Sequence, residues 1–344
     1  MYQLIWNPIF KNRKNIKTVY FSPSGIINNI GIEYIPINNY ENISDKYAIY
    51  RLSSTREIIE KRKSAYKSAA LFGGLEYAVD TDILLSQNVK SEVETSSSVM
   101  YRGLSDSLSV RNSFEPLYNT RTEVSEIGQT LKQRELTVSI FNGTYGTEES
   151  FKKLSGKGMN LIHLATHGMY IGASEAETKR KDANLSFIQL DEIDRGFIQE
   201  DKSLSRSFLV MSGGDMLPNH KVIPENLEDG ILTASEISKM DFRGLDLVVL
   251  SACQTALGDV DNEGVYGLQR GFKKAGANTI LMSLDKVDDE ATRILMVEFY
   301  KNLMAGKSKH QSLKDAQHHL RQVENGRYDD PKYWASFIML DGLN

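Results

Sequence analysis

Leu247-Val248-Val249-Leu250-Ser251-Ala252-Cys253-Gln254-Thr255 and, upstream, Leu161-Ile162-His163-Leu164-Ala165-Thr166-His167-Gly168 share one design. Each is an apolar run that stops abruptly at a small polar turn, and each presents one reactive side chain at the stop. In the first it is Cys253, the only cysteine of the chain; in the second it is His167, followed by glycine. Short continuous apolar runs read as strands buried on both faces, the kind that build a parallel sheet covered by helices. In such a sheet functional groups gather where strands end at their carboxyl edge. If the two strands are neighbours, Cys253 and His167 share that edge and can meet.

The bulk composition leaves room for this reading and removes several others. A chain of 344 residues holds two moderate domains or one large one. Its net charge is −4 and its 41 Lys and Arg residues are scattered, so no nucleic-acid footprint and no acidic tail stand out. No apolar run approaches the ~20 residues needed to cross a bilayer, and the start, Met1-Tyr2-Gln3-Leu4-Ile5-Trp6, has neither the basic region nor the long apolar core of a secretory signal. One cysteine cannot form an internal disulfide, and nothing points to an oxidising compartment. The expectation is a cytoplasmic protein with no nucleic-acid and no membrane partner.

Outward from the two strand ends, the pattern alternates. Lys17 to Phe21 reads as a strand ended by Ser22-Pro23-Ser24-Gly25; Ile30 to Ile37 as a strand pairing back in a hairpin; Tyr47 to Leu52 as another strand, followed by a helix through Ile58 and Ile59; Ala69 to Gly74 as a buried strand entering a glycine turn. Between about 86 and 112 the composition shifts to serine-rich and polar, which predicts a flexible connection. Helices are expected near 122–131 and 148–154, with a strand at 137–141 between them. Residues 174–241 form a long polar excursion between the two decisive strands, of a length that signals a functional loop region or a processing site. Beyond Cys253 the spacing predicts a helix over 265–275, a strand over 278–284, helices over 288–305 and 308–323, and a closing strand over 333–340. The predicted fold class is α/β, a mainly parallel sheet flanked by helices.

The chemistry follows from residue type. A thiol becomes a useful nucleophile when part of it is thiolate, which a nearby imidazole promotes, and the imidazole can then protonate the leaving amine. The backbone N–H groups of Gly168 and Cys253 can hold the oxyanion of a tetrahedral intermediate. Acyl transfer, most simply peptide hydrolysis, needs little more. The bland alternative is that a lone cysteine is a small core residue; the matching His-Gly strand end argues against it.

The segments His163-Leu164-Ala165-Thr166-His167-Gly168 and Leu250-Ser251-Ala252-Cys253-Gln254-Thr255 resemble those of the CHAT peptidases, caspase-like proteins often fused to tetratricopeptide repeats. Glu228-Asp229-Gly230-Ile231-Leu232-Thr233-Ala234, Val287-Asp288-Asp289-Glu290-Ala291-Thr292, Tyr333-Trp334-Ala335-Ser336-Phe337 and the N-terminal Tyr20 to Gly25 and Ser53 to Glu57 extend the likeness over almost the whole chain. The resemblance implies a caspase-like fold shared distantly with separase, a Cys253–His167 dyad and endopeptidase activity on a protein substrate. It also implies an N-terminal degenerate caspase-like half, residues 1–112, packed on a catalytic half, residues 113–344. No tetratricopeptide repeats precede the domain in this sequence, so the expectation is a regulatory protein acting in trans, a piece cut from a longer protein, or a free-standing protease, in a response such as bacterial defence or programmed death.

This sequence has Asp285 where the family commonly has Trp, in the strand that borders the substrate pocket of caspase-like folds. Asp285, Asp288 and Asp289 are candidates for an acidic pocket that takes a basic substrate side chain. The competing reading gives Asp288 to a helix N-cap and Asp289 to its first turn. His163 and His167 are four apart, but on a strand and turn, with no third ligand signalled nearby, so no metal site is expected and His163 is read as a packed support. Gly264, Gly267 and Gly271 lack the Lys-Ser/Thr of a phosphate loop, and no cofactor is implied. Two alternatives stay open beside the endopeptidase: a catalytically silent caspase-like interaction module, and a zymogen that cuts itself within 174–241.

Overall fold

The computed structural model describes residues 1–11, 13, 15–38, 41–59, 65–88, 114–171, 203–215, 227–252, 255, 258–261 and 264–343. Its strands are β1 (Thr18–Phe21), β2 (Ala48–Arg51), β3 (Ser68–Leu75), β4 (Thr137–Gly143), β5 (Leu161–Leu164), β6 (Gly168–Tyr170), β7 (Ser207–Val210), β8 (Ile231–Thr233), β9 (Leu247–Leu250), β10 (Gly258–Asp261), β11 (Gly264–Gly267), β12 (Thr279–Ser283) and β13 (Phe337–Leu340). Eight of them form one sheet in the order β1-β2-β13-β12-β9-β5-β3-β4. Every neighbouring pair in it is parallel except β12 with β13. The sheet is thus mainly parallel, as the buried apolar runs predict.

Helices cover both faces, because each strand at the centre is buried on both sides. One face packs α1 (Tyr118–Lys132), α5 (Asp289–Met304) and α6 (Lys309–Gln322) over Leu71, Leu161, Val249 and Leu281, through Val124, Ile127, Leu295, Phe299, Leu313 and Leu320. The opposite face packs α2 (Glu148–Lys152), α3 (Ala234–Ile237) and α4 (Leu268–Ala275) over Phe72, Ile162, Leu164, Val248, Leu250 and Ile280, through Phe151, Ile237, Leu268 and Phe272. Odd and even strand positions therefore serve two separate cores, the period-two consequence of the pleat.

Strands from both sides of the expected division at 112 share this one sheet. β3 lies between β5 and β4, while β1 and β2 extend the opposite end beyond β13. Of the connection expected at 86–112, residues 86–88 end the helix Thr81–Asn88 and the remainder lies outside the described residues.

Other expectations need correction. Residues 30–37 make a short 3-10 turn, Ile32–Tyr34, and a single bridge from Pro36 to Asn42 in place of a hairpin. The segment after β2 is likewise a 3-10 turn, Thr55–Ile59. The helix expected over 265–275 begins only at Leu268, because Gly264 to Gly267 pair antiparallel with Gly258 to Asp261. The closing strand is shorter than expected, since Asp330 caps a one-turn helix α7 (Pro331–Trp334) with Pro at its first position. Parts of the 174–241 excursion are regular structure: β7 and β8 lie in it and, with β6, build a three-stranded antiparallel sheet. Residues 174–202 and 216–226 of the excursion lie outside the described residues.

Candidate active site

β5 and β9 are neighbours, parallel and in register, with His163 opposite Val249 and Leu164 opposite Leu250. His167 follows Leu164 by three residues and Cys253 follows Leu250 by three. Cys253 itself lies outside the described residues; Ser251, Ala252 and Thr255 around it are described and buried. Leu164 and Leu250 thus lie side by side at the ends of their strands, and His167 follows the one in sequence by as many residues as Cys253 follows the other.

His167 sits in an aromatic corner. Its imidazole packs against Tyr77, with ring centroids 5.0 Å apart, and against Phe114 at 5.6 Å. Nε2 lies 2.7 Å from the backbone carbonyl oxygen of Glu115. A carbonyl oxygen can only accept, so Nε2 carries the proton, and in the neutral ring Nδ1 carries the lone pair. The Tyr77 phenol also lies on the backbone N–H of His167 and 3.0 Å from Thr166 Oγ1. Thr166 donates to the Val210 carbonyl, which makes Tyr77 the donor to Thr166. Burial pushes the Tyr77 phenol up to about 12, against its hydrogen bonds with Thr166 and the His167 N–H, so it stays protonated at neutral pH.

Immediately after His167 the chain enters β6. Val210 N–H donates to the His167 carbonyl at 2.9 Å, and Gly168 then stands opposite Leu209 as a non-hydrogen-bonded pair. In an antiparallel ladder that position turns the N–H of Gly168 away from the partner strand. The end of β9 is held by hydroxyls instead. Ser283 Oγ donates to the Ala252 carbonyl, Thr255 Oγ1 accepts the Ser283 N–H at 3.0 Å, and Ser251 N–H donates to the Leu164 carbonyl at 2.9 Å.

The acidic trio separates. Asp285 is exposed just past β12 and accepts the N–H of Lys286. Asp288 is the N-cap of α5 and accepts from Ala291 N–H at 2.9 Å. Asp289, in the first turn of α5, reaches a different helix and accepts the Asn119 N–H of α1 at 3.0 Å. His163 faces away from this edge, into the α1–α5 layer. It is fully buried, with Nε2 2.9 Å from Glu123 and Nδ1 3.3 Å from the Tyr300 hydroxyl, the packed support that was expected.

One cluster was missed. The Glu228-Asp229-Gly230 stretch enters β8 through a charged knot centred on Lys152, whose Nζ lies 2.7, 2.8 and 2.7 Å from Glu148, Glu228 and Glu236. Gly230 N–H donates to Glu148 and Ile231 N–H to Asp229. Burial, with Glu236 and Asp229 nearby, pushes Glu148 up, and burial with Glu236 raises Asp229 to about 7. Burial alone would lower Lys152, but the carboxylates of Glu148 and Glu236 overcome it and hold the ammonium charged. Three carboxylates converge here as metal ligands would, and the ammonium fills the point of convergence. The sequence signals were the Glu148–Lys152 spacing and the capping box Thr233-x-x-Glu236.

With this geometry in place, comparison with known proteins is direct. A family model described as "CHAT domain" matches residues 1–342, and the chain belongs to that family. Tetratricopeptide repeat protein 28 of Mus musculus is 33% identical over 116 residues, and that of Homo sapiens 30% over 115. Each match covers 33% of this chain and only 4% of the relative's length. Among solved structures, the complex of Porphyromonas gingivalis RgpB pro- and mature domains aligns with TM-score 0.53 at 10% identity, covering 98% of this chain and 67% of that one. The Arg specific cysteine proteinase gingipain R aligns at 0.54 and 9% identity, covering 98% and 66%. At such identity the likeness concerns the fold, a caspase-like architecture. Among the described residues, no helix is long and apolar enough to cross a membrane.

Proposed function

We propose that this chain, as a member of the CHAT-domain family, is a cysteine endopeptidase in which Cys253 is the nucleophile and His167 the general base. The observation that carries the reading is the hydrogen bond from His167 Nε2 to the Glu115 carbonyl. It leaves Nδ1 as the basic nitrogen, on an imidazole whose strand runs in register with the one that leads to Cys253. Nδ1 takes the thiol proton; the thiolate attacks the carbonyl carbon of the scissile peptide; the imidazolium returns the proton to the leaving amine. Water, activated by the same nitrogen, then releases the acyl group. Gly168 N–H, turned off its ladder, together with the N–H of Cys253 forms the oxyanion site.

The substrate is a protein. Of the three acidic candidates, Asp285 is the surface group best suited to a basic side chain before the scissile bond, because Asp288 and Asp289 are engaged at helix starts. The setting we propose is cytoplasmic, in a regulated defence or cell-death response, with a regulatory protein acting in trans and residues 1–112 as the non-catalytic half. New protein N-termini, identified across a proteome with wild type and with Cys253→Ala, test the function. Cleavage is expected to fall by at least ~100-fold in both Cys253→Ala and His167→Ala. An undiminished rate in either variant removes the dyad, and a wild-type Cys253 that alkylates no faster than free cysteine at neutral pH favours the silent interaction module.

A further inference from the structure

The segment that carries the Glu115 carbonyl is a strap between two carboxylate anchors, Asp215 buried and Asp289 half-buried. At its start, Phe114 N–H donates to Asp215 Oδ1 at 2.8 Å; at its end, Asn119 N–H donates to Asp289 Oδ2 at 3.0 Å. The carbonyl that meets His167 lies between them. We propose that Asp215 and Asp289 are positioning residues for His167, acting through the strap from Phe114 to Asn119. The inference rests on the reading of His167 as the base.

Each anchor is itself fixed to the core. Asp215 is 3% exposed, and its backbone N–H donates to the Tyr77 carbonyl, while Gly213 N–H donates to Glu76. The loop after β7 thus ties the strap to the extension of β3. Asp289 belongs to the first turn of α5, where a carboxylate already favours the macrodipole, yet its oxygen serves the first turn of α1. One carboxylate thereby joins two helix starts. α1 cannot slide, because Thr120 Oγ1 accepts the Gly74 N–H at 2.9 Å, and a Cβ at Gly73 would stand 2.7 Å from the Thr120 carbonyl oxygen. With both ends held, the Glu115 carbonyl has one place to be, and so does the imidazole that donates to it.

The anchors add charge as well as geometry. Both carboxylates act electrostatically on the Tyr77 phenol, the ring against which the imidazole lies. Carboxylates whose charge reaches that phenol also favour the imidazolium that forms when the thiol loses its proton. Asparagine in place of either aspartate keeps an oxygen for the backbone N–H and removes the charge; alanine removes both.

The test uses the full chain with labelled histidine. Nitrogen NMR gives the His167 tautomer and the pH midpoint of its titration, and alkylation of the single cysteine against pH gives the thiolate. The expected result is a fixed Nε2–H tautomer in wild type and mixed tautomers in Asp215→Ala and Asp289→Ala. Alkylation at neutral pH should fall by roughly ten-fold in the alanine variants. In Asp215→Asn and Asp289→Asn the tautomer should return while the His167 midpoint stays below wild type. A His167 tautomer and midpoint equal to wild type in both alanine variants overturns the proposal. Should those fail to fold, unchanged midpoints in the asparagine variants overturn it. These NMR outcomes stand apart from proteolysis, so a chain that cuts nothing still decides the strap.

Discussion

The two strand ends that form the candidate site are neighbours in register, yet they are held by different physics. The His167 end of β5 is set between aromatic rings and leads into a small sheet whose far strand, β8, is entered through the Lys152 knot. The end of β9 is fixed by neutral hydroxyls, Ser283 on the Ala252 carbonyl and Thr255 on the Ser283 N–H. Charge holds at a distance and is costly when a partner is lost; hydroxyls hold locally and cost less. Damage on the His side should therefore reach further than damage on the Cys side.

The strongest way to break this comparison is Lys152→Met. It leaves Glu148, Glu228 and Glu236 converging on an apolar chain, and removal of one partner from a buried charge cluster costs about 3 kcal/mol or more. Thermal unfolding should show a lowered melting temperature, and amides of β6 to β8 should exchange faster than those of β9 and β12. Equal loss of protection in both regions would mean that the knot supports the whole domain and not the His side.

On the other side, Thr255→Val keeps volume and removes the oxygen that accepts Ser283 N–H, at a fully buried position. Leaving a buried donor unsatisfied costs about 1–3 kcal/mol. The comparison predicts that Cys253 alkylation changes in this variant while the His167 resonances do not. Tyr77→Phe is the smaller counterpart for the His side: it keeps the ring against His167 and loses the bonds to Thr166 and to the His167 N–H, at about 1 kcal/mol. Here the His167 resonances should move and alkylation should follow them.

How far these differences were legible in the sequence depends on range. The two strand ends declared themselves because a run buried on both faces is almost wholly apolar until it stops, although β5 and β9 each end three residues before His167 and Cys253. Asp288 was readable as a cap because capping is a three-residue affair. The strap was not readable, since a loop carbonyl that accepts from a ring 52 residues away leaves no residue signature at Glu115. The Lys152 knot was half-readable: its helix spacing and capping box are local, but the meeting of α2 with the Glu228 stretch depends on the sheet between them. Residues 264–267 misled by their apolar pair Val265-Tyr266, which continues the stripe of α4 while pairing with β10.

The pH dependence of stability sharpens the comparison with the smallest effect. Asp229 titrates near 7 in the folded chain against 3.8 as the ordinary value, because burial and Glu236 disfavour its charge. A carboxyl whose folded value is raised favours the folded state below the ordinary value, and this contribution is lost as pH rises through about 7. Glu148, raised for the same reasons, acts in the same direction. The melting temperature should therefore rise when pH falls from about 8 to about 6, and Asp229→Asn should flatten that slope by removing its main titrating group. The hydroxyls at the end of β9 do not titrate in this window, so exchange protection of β9 and β12 should change less with pH than that of β8. A slope that survives Asp229→Asn would place the titration elsewhere and remove the charge knot from the account of the His side.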